Sequence, residues 1–358
     1  MRCPTLAELP LPPSGKAGWP WTEESPQQSG ATSDGRRWPR VSIVTPSYNQ
    51  GRFIEETIRS VLLQGYSNLE YTLIDGGSDD ETVNIVRKYE PWLTYWVSEK
   101  DRGQSDALRK GFNKARGDVF GWINADDLLA PSALRIVAVA YARNPELGLY
   151  VGTVENFQRS PSERPREVVK QQNISFMNLL LPGYATRSRF HQPGIFFTSE
   201  LYRRSGGVDA SYYYRMDYDL LVRMLDNDAI VCYLDETVAY FRKHAMSKTG
   251  RRSFPYFVRV FHETNKVLSR YAGRFSAEDR ERLRSQYAID LLHGAYYGLA
   301  SAQLRGAVGY LRLAMEVGRL SLCRVLPQAI AHAALSRLTR LFRTCKETLG
   351  RRRGFIPR

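Results

Sequence analysis

The sequence predicts an α/β protein: a mostly parallel, Rossmann-like sheet flanked by helices, followed by a helical C-terminal extension. Three observations carry this. Short β-branched or apolar runs alternate with segments of helical periodicity between residues 41 and 143. The links between them are short and rich in Gly and Asp, as at Asp75-Gly-Gly-Ser78. That alternation favours parallel strands joined by crossover helices. From Ser276 onward the strand signals stop, and Leu283, Tyr287, Leu291, Tyr296 and Leu299 recur at helical spacing.

Taken in order, residues 1–40 are rich in Pro, Ser and Gly and read as a flexible leader with no packed element. Order is expected to begin at Val41-Ser-Ile-Val-Thr45, a strand stopped by Pro46. Helices are expected at 53–63, 81–89 and 105–115, with strands at 71–74, 95–97 and 119–123. Pro131 suits the first turn of a further helix reaching Arg143. Beyond residue 150 the pattern loosens. Strands are expected at 194–198 and 230–241, around a helix at 217–225, and Ser276 with Asp279 forms a capping box. The expected domains are therefore a leader (1–40), a catalytic domain (41–250) and a basic helical region (251–358).

The charge is uneven. Residues 1–250 hold 30 Lys and Arg against 30 Asp and Glu, and residues 251–358 hold 21 against 7, so the whole net charge of +14 lies in the last third. Arg305, Arg312 and Arg319 recur every seven residues beside Leu304, Leu311 and Met315, which fits an interfacial helix on anionic lipid or a plain packing helix. The longest uncharged stretches, 291–304 and 325–336, fall short of the ~18 apolar residues of a spanning helix. Residues 1–40 lack the apolar stretch of a secretory signal, and the four cysteines form no metal or disulfide spacing. The expected location is the cytoplasm, with the basic helices at the inner face of the membrane. No aromatic-and-basic motif for nucleic acid is present, and none is expected as a partner.

Ligands of open parallel sheets bind beyond the carboxyl ends of the strands. Four loops are expected there: 46–49, 75–78, 98–104 and 124–127. Asn124-Ala-Asp126-Asp127 follows a strand and is either a turn or a carboxylate site for a hard divalent cation. Asp75-Gly-Gly-Ser-Asp-Asp80 permits close backbone approach to a base or ribose, but lacks the three spaced glycines of a dinucleotide site. Asp217-Tyr-Asp219 opens a helix, where a carboxylate stabilises the dipole or acts as a general base. His244, among cations after a strand, ligates a metal, meets a diphosphate, or is an ordinary hydrogen-bonded side chain. No phosphate-binding loop, nucleophile elbow or kinase signature appears.

In this order the segments Val41-Ser-Ile-Val-Thr-Pro-Ser-Tyr-Asn49, Asp75-Gly-Gly-Ser78, 99–107, 124–127, Asp217-Tyr-Asp219 and 242–249 resemble the family 2 inverting glycosyltransferases with the GT-A fold. The resemblance covers roughly residues 41–250. It implies that Pro46, Tyr48 and Asp75 frame the nucleobase, and that Gln104 and Asp106 lie near the ribose or sugar. Asn124, Asp126 and Arg242 fall in the donor-binding set. Asp126, with His244 and Asp127, would hold Mg or Mn, and Asp217 would be the catalytic base. Asn124 stands in the first acidic place of the family's Asp-x-Asp, and Met216 where many members carry Glu. The Gln-x-x-Arg-Trp signature of processive synthases is absent. The implied activity is transfer of one sugar from a nucleotide diphosphate sugar to an acceptor hydroxyl, in cell-surface polysaccharide or glycolipid synthesis, with a polyprenyl-linked saccharide as an expected acceptor. Two other readings are a nucleotidyltransferase on a similar sheet, which would not need Asp217, and a non-catalytic protein binding membrane or nucleic acid through its basic tail.

Overall fold

The β-branched run after residue 40 becomes β1 (Val41–Ser47), buried along its whole length in the computed structural model, which describes residues 3–32, 35–163, 167–181, 190–248, 254–300 and 304–317. Burial on both faces removes any need for polar alternation, which is why the run reads as continuously apolar or small. β1 pairs in parallel with β2 (Leu69–Asp75) on one side and β4 (Val119–Trp122) on the other, and β3 (Tyr95–Ser98) lies parallel to β2. The register sets Ser47, Asp75 and Ser98 side by side, so three strands end on one line. The helices α1 (Ile54–Leu62), α2 (Thr82–Tyr89), α3 (Gln104–Lys114) and α4 (Ala133–Arg143) fall within two residues of the bounds that periodicity predicts.

The sheet continues as β5 (Leu128–Leu129), β6 (Gly148–Phe157), β7 (Glu167–Val169), β8 (Ile195–Thr198) and β9 (Ile230–Arg242). Its order is β3-β2-β1-β4-β8-β6-β9-β5, with β7 on β6. β8 runs antiparallel to β4 and β6, β6 and β9 are parallel, and β5 is antiparallel to β9. Parallel ladders hold most of the paired residues, in an otherwise mixed sheet. No strand is expected from the sequence at 148–157, yet β6 is ten residues long. Gly148, Gly152 and the polar Thr153, Glu155 and Asn156 hide it. Gly152 is there because a Cβ would lie 2.5 Å from Val238, so only glycine lets β6 and β9 close. Between the later strands lie α5 (Phe176–Leu180), α6 (Ser199–Arg204) and α7 (Met216–Asp226).

The leader departs furthest from expectation. Cys3, Leu9 and Trp19 sit in the same core cluster as Ile58, Val61 and Leu63. The cause is Arg59 of α1, which is fully buried and donates to the carbonyls of Pro10, Pro20 and Trp21 at 2.8–3.1 Å. Trp19 adds a hydrogen bond from Nε1 to the Leu129 carbonyl at 2.9 Å. The proline-rich composition excludes long regular elements but not packing, because a distant guanidinium satisfies the carbonyls. Replacing Arg59 by Met orphans three buried acceptors and is expected to cost at least about 3 kcal/mol in urea unfolding.

Residues 251–358 form a second compact unit. It contains α8 (Phe254–Arg270), α9 (Ala277–Ala300) and α10 (Leu304–Val317). The capping box forms: Ser276 N donates to Asp279 Oδ2 at 3.0 Å, and Asp279 N to Ser276 Oγ at 3.1 Å. Among the described residues no helix is long and apolar enough to cross a membrane. Arg319, Pro327 and the stretch 325–336 lie outside the described residues.

Candidate functional site

Two segments more than a hundred residues apart meet because of one short ladder. β5 begins directly after Asp127, and Leu128 pairs with Tyr240 and Leu129 with Ala239 of β9. Continuing that antiparallel register by two residues sets Asp126 opposite Arg242 and brings His244 within reach. His244 Nε2 lies 2.9 Å from Asp126 Oδ2, and both side chains are mostly buried. The imidazole packs on Phe53, with ring centres 4.6 Å apart.

A separate polar network starts at the next residue, Asp127. Asn124 Nδ2 donates to Asp127 Oδ2 at 3.1 Å and to Gln192 Oε1 at 3.2 Å, and its Oδ1 accepts from Gln104 Nε2 at 2.7 Å. Gln104 Oε1 in turn accepts from Lys248 Nζ at 3.1 Å, and that ammonium also reaches the Tyr213 carbonyl and lies 3.9 Å from the Tyr213 ring centre. α3 starts at Gly103, whose φ of +105° suits glycine and lets the Tyr213 ring approach. Asp217, on the first turn of α7, is half-buried, and its Oδ1 accepts from the Tyr218 N–H at 2.7 Å. Desolvation pushes its carboxyl above the usual carboxylate range, against the pull of Arg215, the backbone N–H groups and Lys248. A carboxylate so raised is a stronger base than a free one.

The remaining expected residues divide by exposure. Tyr48 is exposed at 59%, available to stack on a ligand, and Pro46 is buried within β1. Asp75 is fully buried. Its carboxylate accepts from Ser78 Oγ, Ser98 Oγ and the N–H groups of Gly77 and Ser78, so it shapes the loop from inside. Asp106 is buried against Arg102 and Arg109 at 3.2 and 3.1 Å. Burial pushes its carboxyl up, but hydrogen bonds from Arg102, its backbone N–H and Arg109 outweigh this and hold it low.

Arg242 and Asp127 are buried, with their polar atoms engaged by the protein. Arg242 is not presented to a donor: it is 3% exposed, and its guanidinium is spent on the Asp126 and Arg159 carbonyls and on Glu56 at 3.0 Å. It fixes the backbone of Asp126 from behind. Asp127 is fully buried, with Oδ1 taken by the Arg242 N–H at 2.9 Å and Oδ2 by Asn124. Burial, then the neighbouring Asp126 charge, pushes its carboxyl well up. It ties β5 to β9 through the Arg242 N–H and holds Asn124. The sequence also missed Gln192 and Lys248 as parts of this network. Lys248 falls inside a segment singled out for other residues, and Gln192 carries no signal at all.

Replacing Arg242 by Met leaves Glu56 buried without its partner, at an expected cost of about 3–5 kcal/mol. Burial already raises the Glu56 carboxyl, with Arg242 the main opposing charge. Without Arg242 the folded-state pKa rises further above the unfolded one, so the loss is full at high pH and shrinks as pH falls through it. Chemical denaturation at pH 5 and pH 8 checks the sign.

Among the described residues no group of three His, Cys, Asp or Glu side chains gathers as a metal cage. The spacing of the Asp126–His244 pair matches two adjacent places on an octahedral cation. Ligands at right angles on an octahedral ion, each at ~2.1 Å, lie about 3.0 Å apart, close to the separation of this pair. Such ions take few protein ligands and fill the rest with water and substrate phosphate.

Residues 42–205 match the model of Glycosyl transferase family 2. An uncharacterised glycosyltransferase of Rickettsia typhi is 30% identical over 207 residues, covering 56% of this chain and 62% of that protein. One from Rickettsia prowazekii is 30% identical over 220 residues, covering 59% and 66%. The chain thus spans about two thirds of the length of these relatives or less. The chondroitin synthase of Escherichia coli is 25% identical over 201 residues, 53% of this chain and 27% of the synthase. The mannosyltransferase PcManGT of Pyrobaculum calidifontis, solved with GDP-Man and Mn2+, aligns over 83% of this chain and 81% of its own at 21% identity and a TM-score of 0.50. At that identity the likeness speaks for the fold, a GT-A α/β architecture.

Proposed function

Residues 42–205 of this chain are a glycosyltransferase family 2 domain, and from that premise we propose that the protein moves a single sugar, with inversion, from a nucleotide diphosphate sugar to an acceptor hydroxyl. The observation that carries this is the Asp126–His244 pair at 2.9 Å, flanked by the hydrogen-bonded chain Asp127–Asn124–Gln104–Lys248, whose ammonium charge also acts on Asp217.

Asp126 and His244 would hold a divalent cation, Mg or Mn. When bound, it supplies charge neutralisation for the departing diphosphate. Tyr48 offers an exposed ring to the base, while Asp75 and Asp106 keep the two donor loops in shape from within. Asp217 takes the proton of the acceptor hydroxyl, which then attacks the anomeric carbon from the face opposite the leaving group. One in-line displacement inverts that centre. An acceptor in cell-surface polysaccharide or glycolipid synthesis fits the distant likeness to the chondroitin synthase and the excess positive charge of residues 251–358. On α10, Val308 and Leu311 are exposed beside Arg312, a face suited to peripheral contact with anionic lipid.

The test is a screen of nucleotide sugars for thermal stabilisation of the full chain, with Mn, with Mg and with EDTA. At a hundred times Kd the correct donor adds about 2.7 kcal/mol. Stabilisation that EDTA abolishes is the expected result. No shift with any nucleotide sugar or nucleoside diphosphate would sink the reading.

A further inference from the structure

At the opposite end of the sheet, where β1 and β4 begin, lies a cavity of about 510 Å³. Its walls carry Arg36, Arg37, Arg40 and Arg116, with the rings of Trp38 and Tyr141 beside them. The seven residues of β1, at ~3.3 Å each, separate it from the Asp126–His244 edge by roughly 20 Å.

We propose that this cavity is a second ligand site, built for a phosphate-bearing molecule. Among the described residues the side chains of Arg37, Arg40 and Arg116 make no ion pair, although all three are exposed and line one volume. Four arginines share this lining with one carboxylate, Asp118, and an anion between them relieves the repulsion that is left. Asp118 accepts from the Arg40 N–H through Oδ2 at 2.8 Å and offsets only part of the arginine charge.

The backbone beneath the arginines is pinned residue by residue. The Trp38 carbonyl accepts from Asn68 Nδ2 at 2.9 Å, and the Pro39 carbonyl from the Tyr66 hydroxyl at 2.5 Å. The Arg116 N–H donates to Glu70 at 2.7 Å. Guanidinium forks match the paired oxygens of a phosphate, and the backbone that carries them is already fixed. The volume lies within the 300–1,000 Å³ typical of small-molecule sites, and Trp38 and Tyr141 add aromatic surface to its lining.

The test compares the full chain with R40Q/R116Q by calorimetry in EDTA, so that no metal-dependent donor binding contributes. The probes are inorganic pyrophosphate and a short-chain phosphatidic acid below its micelle concentration. The wild type is expected to bind at least one, and the double variant to bind it ten-fold or more weakly at an unchanged melting temperature. A clear preference for phosphatidic acid assigns a lipid headgroup, and equal or stronger pyrophosphate binding assigns a free phosphate. R37Q gives an independent variant on the same wall and is expected to weaken binding in the same direction. If the wild type binds neither probe, or all variants bind as the wild type does, the site does not exist. These outcomes are independent of the nucleotide-sugar screen, which R40Q/R116Q should pass unchanged.

Discussion

Asp217→Asn is expected to lower turnover by about 10²- to 10⁴-fold, the usual worth of a positioned general base, with little change in donor affinity. The variant should fold at least as well as the wild type. Desolvation raises the folded-state carboxyl of Asp217 above its unfolded value, so ionising it costs stability. That cost is absent below the unfolded pKa and fully present above the folded one. Thermal melts of the two proteins should therefore agree in acid, with D217N equal or higher at pH 8. The same shift moves the acid limb of the wild-type rate profile. The base must be ionised to accept a proton, so activity rises with pH through its raised pKa, above the ordinary carboxylate range. Normal turnover in D217N, at any pH, would remove Asp217 from the chemistry and favour the nucleotidyltransferase reading.

Asp126→Ala is expected to abolish the metal-dependent part of donor binding and to lower turnover by at least about 10³-fold, several kcal/mol of lost charge stabilisation. The melting shift produced by nucleoside diphosphate with Mn should vanish in this variant. A shift independent of metal, from contacts to the base, should survive. His244→Ala should weaken the same shift without removing it, since the carboxylate remains. Retention of the full Mn-dependent shift in D126A would show that the cation is held elsewhere. Asp126 and Arg242 separate cleanly in this assay: loss of Arg242 lowers the stability of the apo protein, whereas loss of Asp126 acts on the ligand response.

The parallel half of the fold was readable because it rests on local signals. β1, β2 and β4 are buried runs bounded by turn residues, and α1 to α4 keep apolar residues at helical spacing. The later half is not local in this sense. β6 pairs in parallel with β9, about eighty residues away, and its Gly152 makes sense only against Val238. The leader follows the same rule. Nothing in its own composition reveals that Arg59 satisfies three of its carbonyls.

The site divides along the same line. Sequence order placed Asp126 among the loops that emerge on one edge after parallel strands, while Asp217 and His244 were singled out by the resemblance to family 2 glycosyltransferases. Neither could separate a side chain facing a ligand from one facing the core. Asp75, Asp106, Asp127 and Arg242 all read as site residues, and all four are buried with their hydrogen bonds spent on the protein. Charge and motif alone fixed where the loops gather and which carboxylates stand near them. Only the tertiary structure decided which polar groups were left over for a ligand, because that depends on partners supplied by chain segments as much as 186 residues away.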